Sequence, residues 1–327
     1  MKATKMIFAL MLMTSTLITL NSSSWLGMWM GMEMNLMSFI PLMKSQKNKK
    51  SSESMMMYFL TQSISSIILL FTILASYFIT YNIMENIMQL ILTISLMIKM
   101  ASAPFHMWLP ETMANLSWKN CAILMTWQKI APLAILSNNL NNNIMIFIFL
   151  SAMTGAMGGM NQTSFRKIMA YSSINHLSWM MMLMVMNLKW YIYMMFYSII
   201  IIMILIVVEK KNILSINQMM ALKMSSAEKI MITSLMMSMG GLPPFIGFVP
   251  KWMVIQSMMS SSMWLIMTFM VLMSLITLFY YLRMMYPLIM SYNDKIKWMK
   301  KRTNSTLLII MMPINLLTPM MMNFPLF

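Results

Sequence analysis

The sequence predicts an all-α polytopic membrane protein of about eleven transmembrane helices, built as two inverted five-helix repeats with proline-broken helices. Three observations carry that prediction. The 327-residue chain is 60% hydrophobic and only 9% charged, where a soluble chain would carry about 25% charge. Its apolar residues fall into runs of the length a bilayer crossing needs, about 20 residues each. A proline-rich motif at 103–110 returns at 243–250.

The runs are, in order, 4–21, 24–43, 55–80, 83–112, 119–137, 144–161, 167–187, 190–208, 229–258, 263–287 and 305–326. The first follows Lys2 and Lys5 and has no small-residue cleavage site behind it, so it reads as an uncleaved span. The stretches KSQKNKKSSES at 44–54 and NNLNNN at 138–143 are loops. The fourth and ninth runs are long because proline interrupts both.

Basic residues test this count. With eleven spans, one face collects all lysines and arginines except Lys189, on the other face, and Lys99, Lys129 and Lys251, inside spans. Such asymmetry places the N-terminus on the positive side, the matrix in a mitochondrion, and the C-terminus opposite. It also accounts for the net charge of +16 without nucleic acid as a partner.

The two proline motifs read Ala103-Pro104-Phe105-His106-Met107-Trp108-Leu109-Pro110 and Pro243-Pro244-Phe245-Ile246-Gly247-Phe248-Val249-Pro250. Their offset carries the fourth span onto the ninth, in the opposite direction through the membrane. That is an inverted repeat: residues 1–137, then 144–290, with 305–327 as a final span. Proline lacks an N–H and crowds the preceding turn, so Pro104, Pro110, Pro243, Pro244 and Pro250 are expected to break their helices. Matching broken helices point to an ion site, because exposed backbone at membrane depth must face protein or water.

Four charged residues lie inside apolar runs: Glu33, Lys99, Lys129 and Lys251. A charge at the bilayer centre costs roughly 2.5–3.5 kcal/mol on insertion scales. Lysine changes protonation readily when desolvated, so a row of such groups can relay protons. Glu33 is a candidate partner for Lys99, and Lys129 stands three residues before a kink expected at Pro132. His106 and His176 are candidate shuttles that fit equally well as packed histidines. Glu85, Glu111 and Glu209 lie near span ends and read as interfacial.

Other chemistry is disfavoured. The lone Cys121 supports neither a disulfide framework nor an iron–sulfur cluster, and no phosphate-binding glycine motif occurs. The 56 methionines are spread without fixed spacing, against a copper path. Abundant Met, Ile, Asn and Lys point instead to an AT-rich genome reading ATA as Met, as animal mitochondria do. A proton relay also serves a free-standing cation/proton antiporter, and a membrane scaffold is a third possibility.

The segments WLGMWMGMEMNLMSFIP, KMASAPFHMWLPE, MTWQKIAPL, GGMNQTSFRKIMAYSSINHLSWM and GGLPPFIGFVPKWMVIQ resemble the animal mitochondrial NADH–ubiquinone oxidoreductase chain 2 family, antiporter-like membrane subunits of respiratory complex I. The resemblance covers about residues 20–290. It implies a proton-translocating module of the inner-membrane arm, partnered by the other membrane-arm and accessory subunits. It also implies that FMN, iron–sulfur clusters and ubiquinone sit elsewhere in the complex, with no cofactor in this chain. The family's relay glutamate falls on Glu33 and its central lysines on Lys99, Lys129 and Lys251. Many members have glycine where this chain reads Met100-Ala101-Ser102-Ala103. Phospholipids, including cardiolipin, are expected at the basic matrix loops.

Overall fold

Apolar runs of this length can satisfy their backbone in a bilayer only as helices or closed barrels. The computed structural model, which describes residues 2–44, 49–78, 82–141, 143–221, 225–290, 312–313 and 315–316, contains helices and no strand among them. The helices are α1 Lys2–Asn21, α2 Trp25–Met43, α3 Lys49–Phe78, α4 Asn82–Met100, α5 Trp108–Asn115, α6 Trp118–Met125 and α7 Trp127–Asn138. They continue as α8 Ile144–Met160, α9 Phe165–Val185, α10 Trp190–Lys211, α11 Ile216–Ala221, α12 Ser226–Gly240, α13 Phe248–Ser260 and α14 Trp264–Met290.

Among the described residues, Ala3–Asn21, Lys49–Ser76, Trp190–Lys211 and Trp264–Met290 are helices long and apolar enough to cross a membrane. The run at 305–326 lies outside the described residues except at 312–313 and 315–316. The connection after α10 contains the short α11.

Local chemistry sets the ends. Ser24 caps α2 by accepting the Gly27 N–H at 3.2 Å. Lys210 and Lys211 sit in the last turn of α10, where cations oppose the helix dipole, and the left-handed Asn212 (φ 51°) closes it. Ser225 and Glu228 form a capping box on α12.

Contacts divide the chain into Met1–Ser151 and Ala152–Phe327. The division falls inside α8. The reason is the small-residue end of α8: Gly155 and Gly158 lie where any Cβ would collide with Asn175 and Tyr171 of α9. In the first unit α1 packs on α2, α3 on α4 and α5, and α7 on α4. Phe39, Met43, Leu69, Leu96 and Met97 fill its core. In the second unit α9 is buried on all sides, as a central helix must be. Outward positions are apolar as well, for example Met6, Leu10 and Phe71 in the first unit and Leu265 and Phe279 in the second. That is the pattern of a surface solvated by lipid.

Lys211, the last residue of α10, donates to Glu228 Oε1 at 2.7 Å in the first turn of α12. Burial alone would raise the Glu228 carboxyl; the hydrogen bonds from Lys211 and Ser225 and the Lys211 charge outweigh it and hold the group below its ordinary value. The depressed value means that this contact stabilises the fold at neutral pH and is lost as pH falls through the carboxylate range. Protection against hydrogen exchange in the first turn of α12, taken relative to the intrinsic rate at each pH, is therefore expected to fall on acidification. Glu228→Gln should remove that pH dependence.

Candidate functional site

Two helices stop and restart in the same way. Main-chain bonds from Ala101 to Ile98 (3.2 Å) and from Ser102 to Met97 (3.1 Å) close α4. The corresponding bonds from Gly241 to Ser238 (3.0 Å) and from Leu242 to Met237 (3.3 Å) close α12. Each is a Schellman-type end around a left-handed residue, Ala101 at φ 58° and Gly241 at φ 79°. Position 101 is thus where glycine would relieve strain, and this chain accepts alanine. The helices restart at Trp108 and Phe248. Pro104, Pro243 and Pro244 lie within the breaks. Pro110 and Pro250 do not: each sits in the first turn of the restarted helix, where no N–H is required.

A broken helix leaves carbonyls without partners. In the first unit neutral donors meet this end: Trp108 Nε1 adds a second bond to the Ile98 carbonyl at 3.1 Å, and Gln62 Nε2 reaches the Lys99 carbonyl at 3.4 Å. This leaves the Lys99 ammonium free to enter a cavity of about 20 Å³, room for a single water. Lys129 lines the same cavity from α7 and is 2% exposed. Tyr58 Oη donates to Gln128 Oε1 at 3.3 Å, and Gln128 Nε2 donates to Asn35 Oδ1 at 2.9 Å. These three polar side chains also line the cavity that holds the two lysines.

Glu33 does not close an ion pair with Lys99. Lys99 Nζ instead points at Met32 Sδ, 3.7 Å away. Helix α2 turns Met32, Asn35 and Leu36 toward the cavity, and Glu33 lies about 100° further round. Its Oε2 is buried without a hydrogen bond among the described residues. The first unit has a further interruption, between α6 and α7. Pro132 is inside α7, and the interruption comes at Thr126, whose hydroxyl bonds the Ala122 carbonyl at 2.7 Å. His106 is buried in the first break, with Nδ1 3.2 Å from the Pro104 carbonyl, and does not line the cavity.

The second unit solves the same problem with its lysine. Lys251 Nζ donates to the Gly240 carbonyl at 2.8 Å, so a cation caps the negative end of α12. Its Nζ also lies 5.9 Å from the centre of the Trp179 ring. His176 is one turn before Trp179 on α9, and its Nδ1 is 2.8 Å from Tyr193 Oη. The Tyr197 ring lies tilted against His176, centroids 4.9 Å apart, and Tyr280 and Tyr281 are buried in the same unit.

Sequence reasoning missed Asn35, Tyr58, Gln62 and Gln128, and the tyrosines around His176. A signal existed for the amides: each is an uncharged polar residue within an apolar run, and Gln128 directly precedes Lys129. Tyrosine is ordinary in membrane helices, so the cluster had no comparable signal.

Residues 22–277 match the family described as NADH:quinone oxidoreductase/Mrp antiporter, TM. An NADH-ubiquinone oxidoreductase chain 2 from Anopheles gambiae is 45% identical, over 92% of this chain and 90% of that protein. One from Aedes aegypti is 47% identical, over 91% and 89%. The fold is similar to a chain of respiratory complex I from Thermus thermophilus, with a TM-score of 0.76 at 18% identity, covering 87% of this chain and 70% of that one.

Proposed function

Because the chain belongs to the NADH:quinone oxidoreductase/Mrp antiporter transmembrane family, among its chain 2 members, we propose that it is a core membrane-arm subunit of mitochondrial respiratory complex I. In this role it translocates protons across the inner membrane, driven by NADH oxidation and ubiquinone reduction in other subunits. It holds no redox cofactor. It spans the membrane eleven times as two inverted repeats, with the N-terminus in the matrix and the C-terminus in the intermembrane space. Cardiolipin binds its basic matrix loops.

The observation that supports the relay is that Lys99 and Lys129 share one buried cavity. A proton leaving the Lys99 ammonium passes to a water there and then to the neutral amine of Lys129, so one lysine is charged at a time. Tyr58, Gln128 and Asn35 orient the donor and acceptor positions of that water. Glu33 holds the charge at Lys99 until transfer; the state in which Lys99 Nζ turns to Met32 Sδ is the one in which that hold is relaxed. Lys251 is the group of the second unit that releases the proton, and leaving the Gly240 carbonyl frees its ammonium to do so. His176 and His106 are the flanking shuttles.

The test is Lys99→Met and Lys251→Met in the assembled complex, reading protons moved per NADH oxidised. Both should lower the ratio; an unchanged ratio in an intact complex sinks the relay. The antiporter alternative predicts migration of the chain on a native gel outside a large respiratory complex.

A further inference from the structure

The first unit contains a second cavity, about 320 Å³, that the relay does not use. Trp25, Thr72, Ser76, Glu85, Gln89 and Asn139 line it. It lies where α2 and α4 begin and α3 and α7 finish, away from the ends that carry Lys44, Lys49 and Lys119. Its walls mix these polar groups with apolar Ile73, Met88 and Leu92, and beside it Asn139 Nδ2 is buried without a hydrogen bond among the described residues.

The same two packed helices line both cavities. On α3, Gln62 faces the inner cavity and Thr72 the outer one; on α4, Lys99 faces the inner and Gln89 the outer. Ten residues on each helix separate the two, about 15 Å. Leu69 and Leu96, at 1% and 0% exposure, fill the interval. Around them stand the hydroxyls of Ser65, Ser66 and Thr93, each donating to a carbonyl of its own helix and so able to accept from water. A short apolar plug with polar groups on either side is how dewetting closes a pore.

We propose that the outer cavity is the water-filled mouth of a second proton path to Lys99, closed in this state by Leu69 and Leu96. Glu85, at the rim, gathers protons there. This rests on Lys99 as a relay group. The path reaches Lys99 from the side opposite the basic loops, so access can alternate between two sides at one lysine, with a few ångströms of movement at two leucines as the switch.

The experiment places Gln89→Cys in the assembled complex in sealed vesicles and adds a cationic, membrane-impermeant methanethiosulfonate. Cys121 is the chain's sole native cysteine and is buried, so a modified peptide reports position 89. The expected result is modification only from the side opposite the basic loops, with a loss of protons per NADH against the unlabelled half of the same sample. No modification from either side overturns the proposal, as does modification that leaves the ratio unchanged. Thr72→Cys on the facing helix is the second variant if the first does not assemble. Lys99→Met separates the failures: if it stops pumping while labelling has no effect, the second path falls and the relay stands.

Discussion

Lys129→Met is expected to stop proton transfer through this subunit while leaving the complex as stable as before, or more so. Lys129 is 2% exposed and shares the inner cavity with Lys99. Methionine matches its length and apolar stem but cannot take a proton. Loss of a positioned proton-transfer group slows such a step by about 10²-fold or more. Stability should move the other way, because a lysine at the membrane centre costs roughly 2.5–3.5 kcal/mol. Removing that cost offsets the contacts the ammonium makes. Protons per NADH in proteoliposomes and the thermal midpoint of the same sample decide the matter. A lower midpoint together with lost pumping would mean that Lys129 holds the fold instead, and normal pumping would remove it from the relay.

Gly247→Ala is expected to prevent assembly. A Cβ at this position would fall inside the Ser238 carbonyl oxygen of α12, and backbone cannot rotate aside as a side chain can. The second break must then open and release the Lys251–Gly240 contact. Overpacking of this kind costs about 3 kcal/mol, a large share of a marginal stability. Gly240→Ala is the control: its Cβ would meet Leu278 Cδ1 at 3.5 Å, an ordinary contact, at the end of a helix that favours alanine. On a native gel the first variant should lack the assembled complex and the second should keep it. Assembly at wild-type level with Gly247→Ala would show that the break tolerates a different path.

Particular residues show how much could be read in advance. The positions of Lys99, Lys129 and Lys251 stand out because a charge in an apolar run is rare and expensive, and this is a local property of the chain. The helix breaks are equally legible, since proline removes a hydrogen bond wherever it is placed. Its exact effect was not: Pro110 and Pro250 start helices, and Pro132 lies within one while the interruption comes at Thr126. Whether a proline breaks, starts or merely bends a helix depends on what packs around it.

The amino-acid sequence by itself determined an all-helical membrane chain, the two sites where a helix stops and restarts, and which residues carry charge at membrane depth. These follow from side-chain solvation and backbone hydrogen bonding, which act within a few residues. Only the tertiary structure decided that Lys99 and Lys129 line one cavity, that the Lys99 ammonium meets Met32 rather than Glu33, and that Lys251 caps α12. Those outcomes turn on which face each helix presents to its neighbours, and a rotation of about 100°, one residue's worth, is enough to exchange a carboxylate for a thioether.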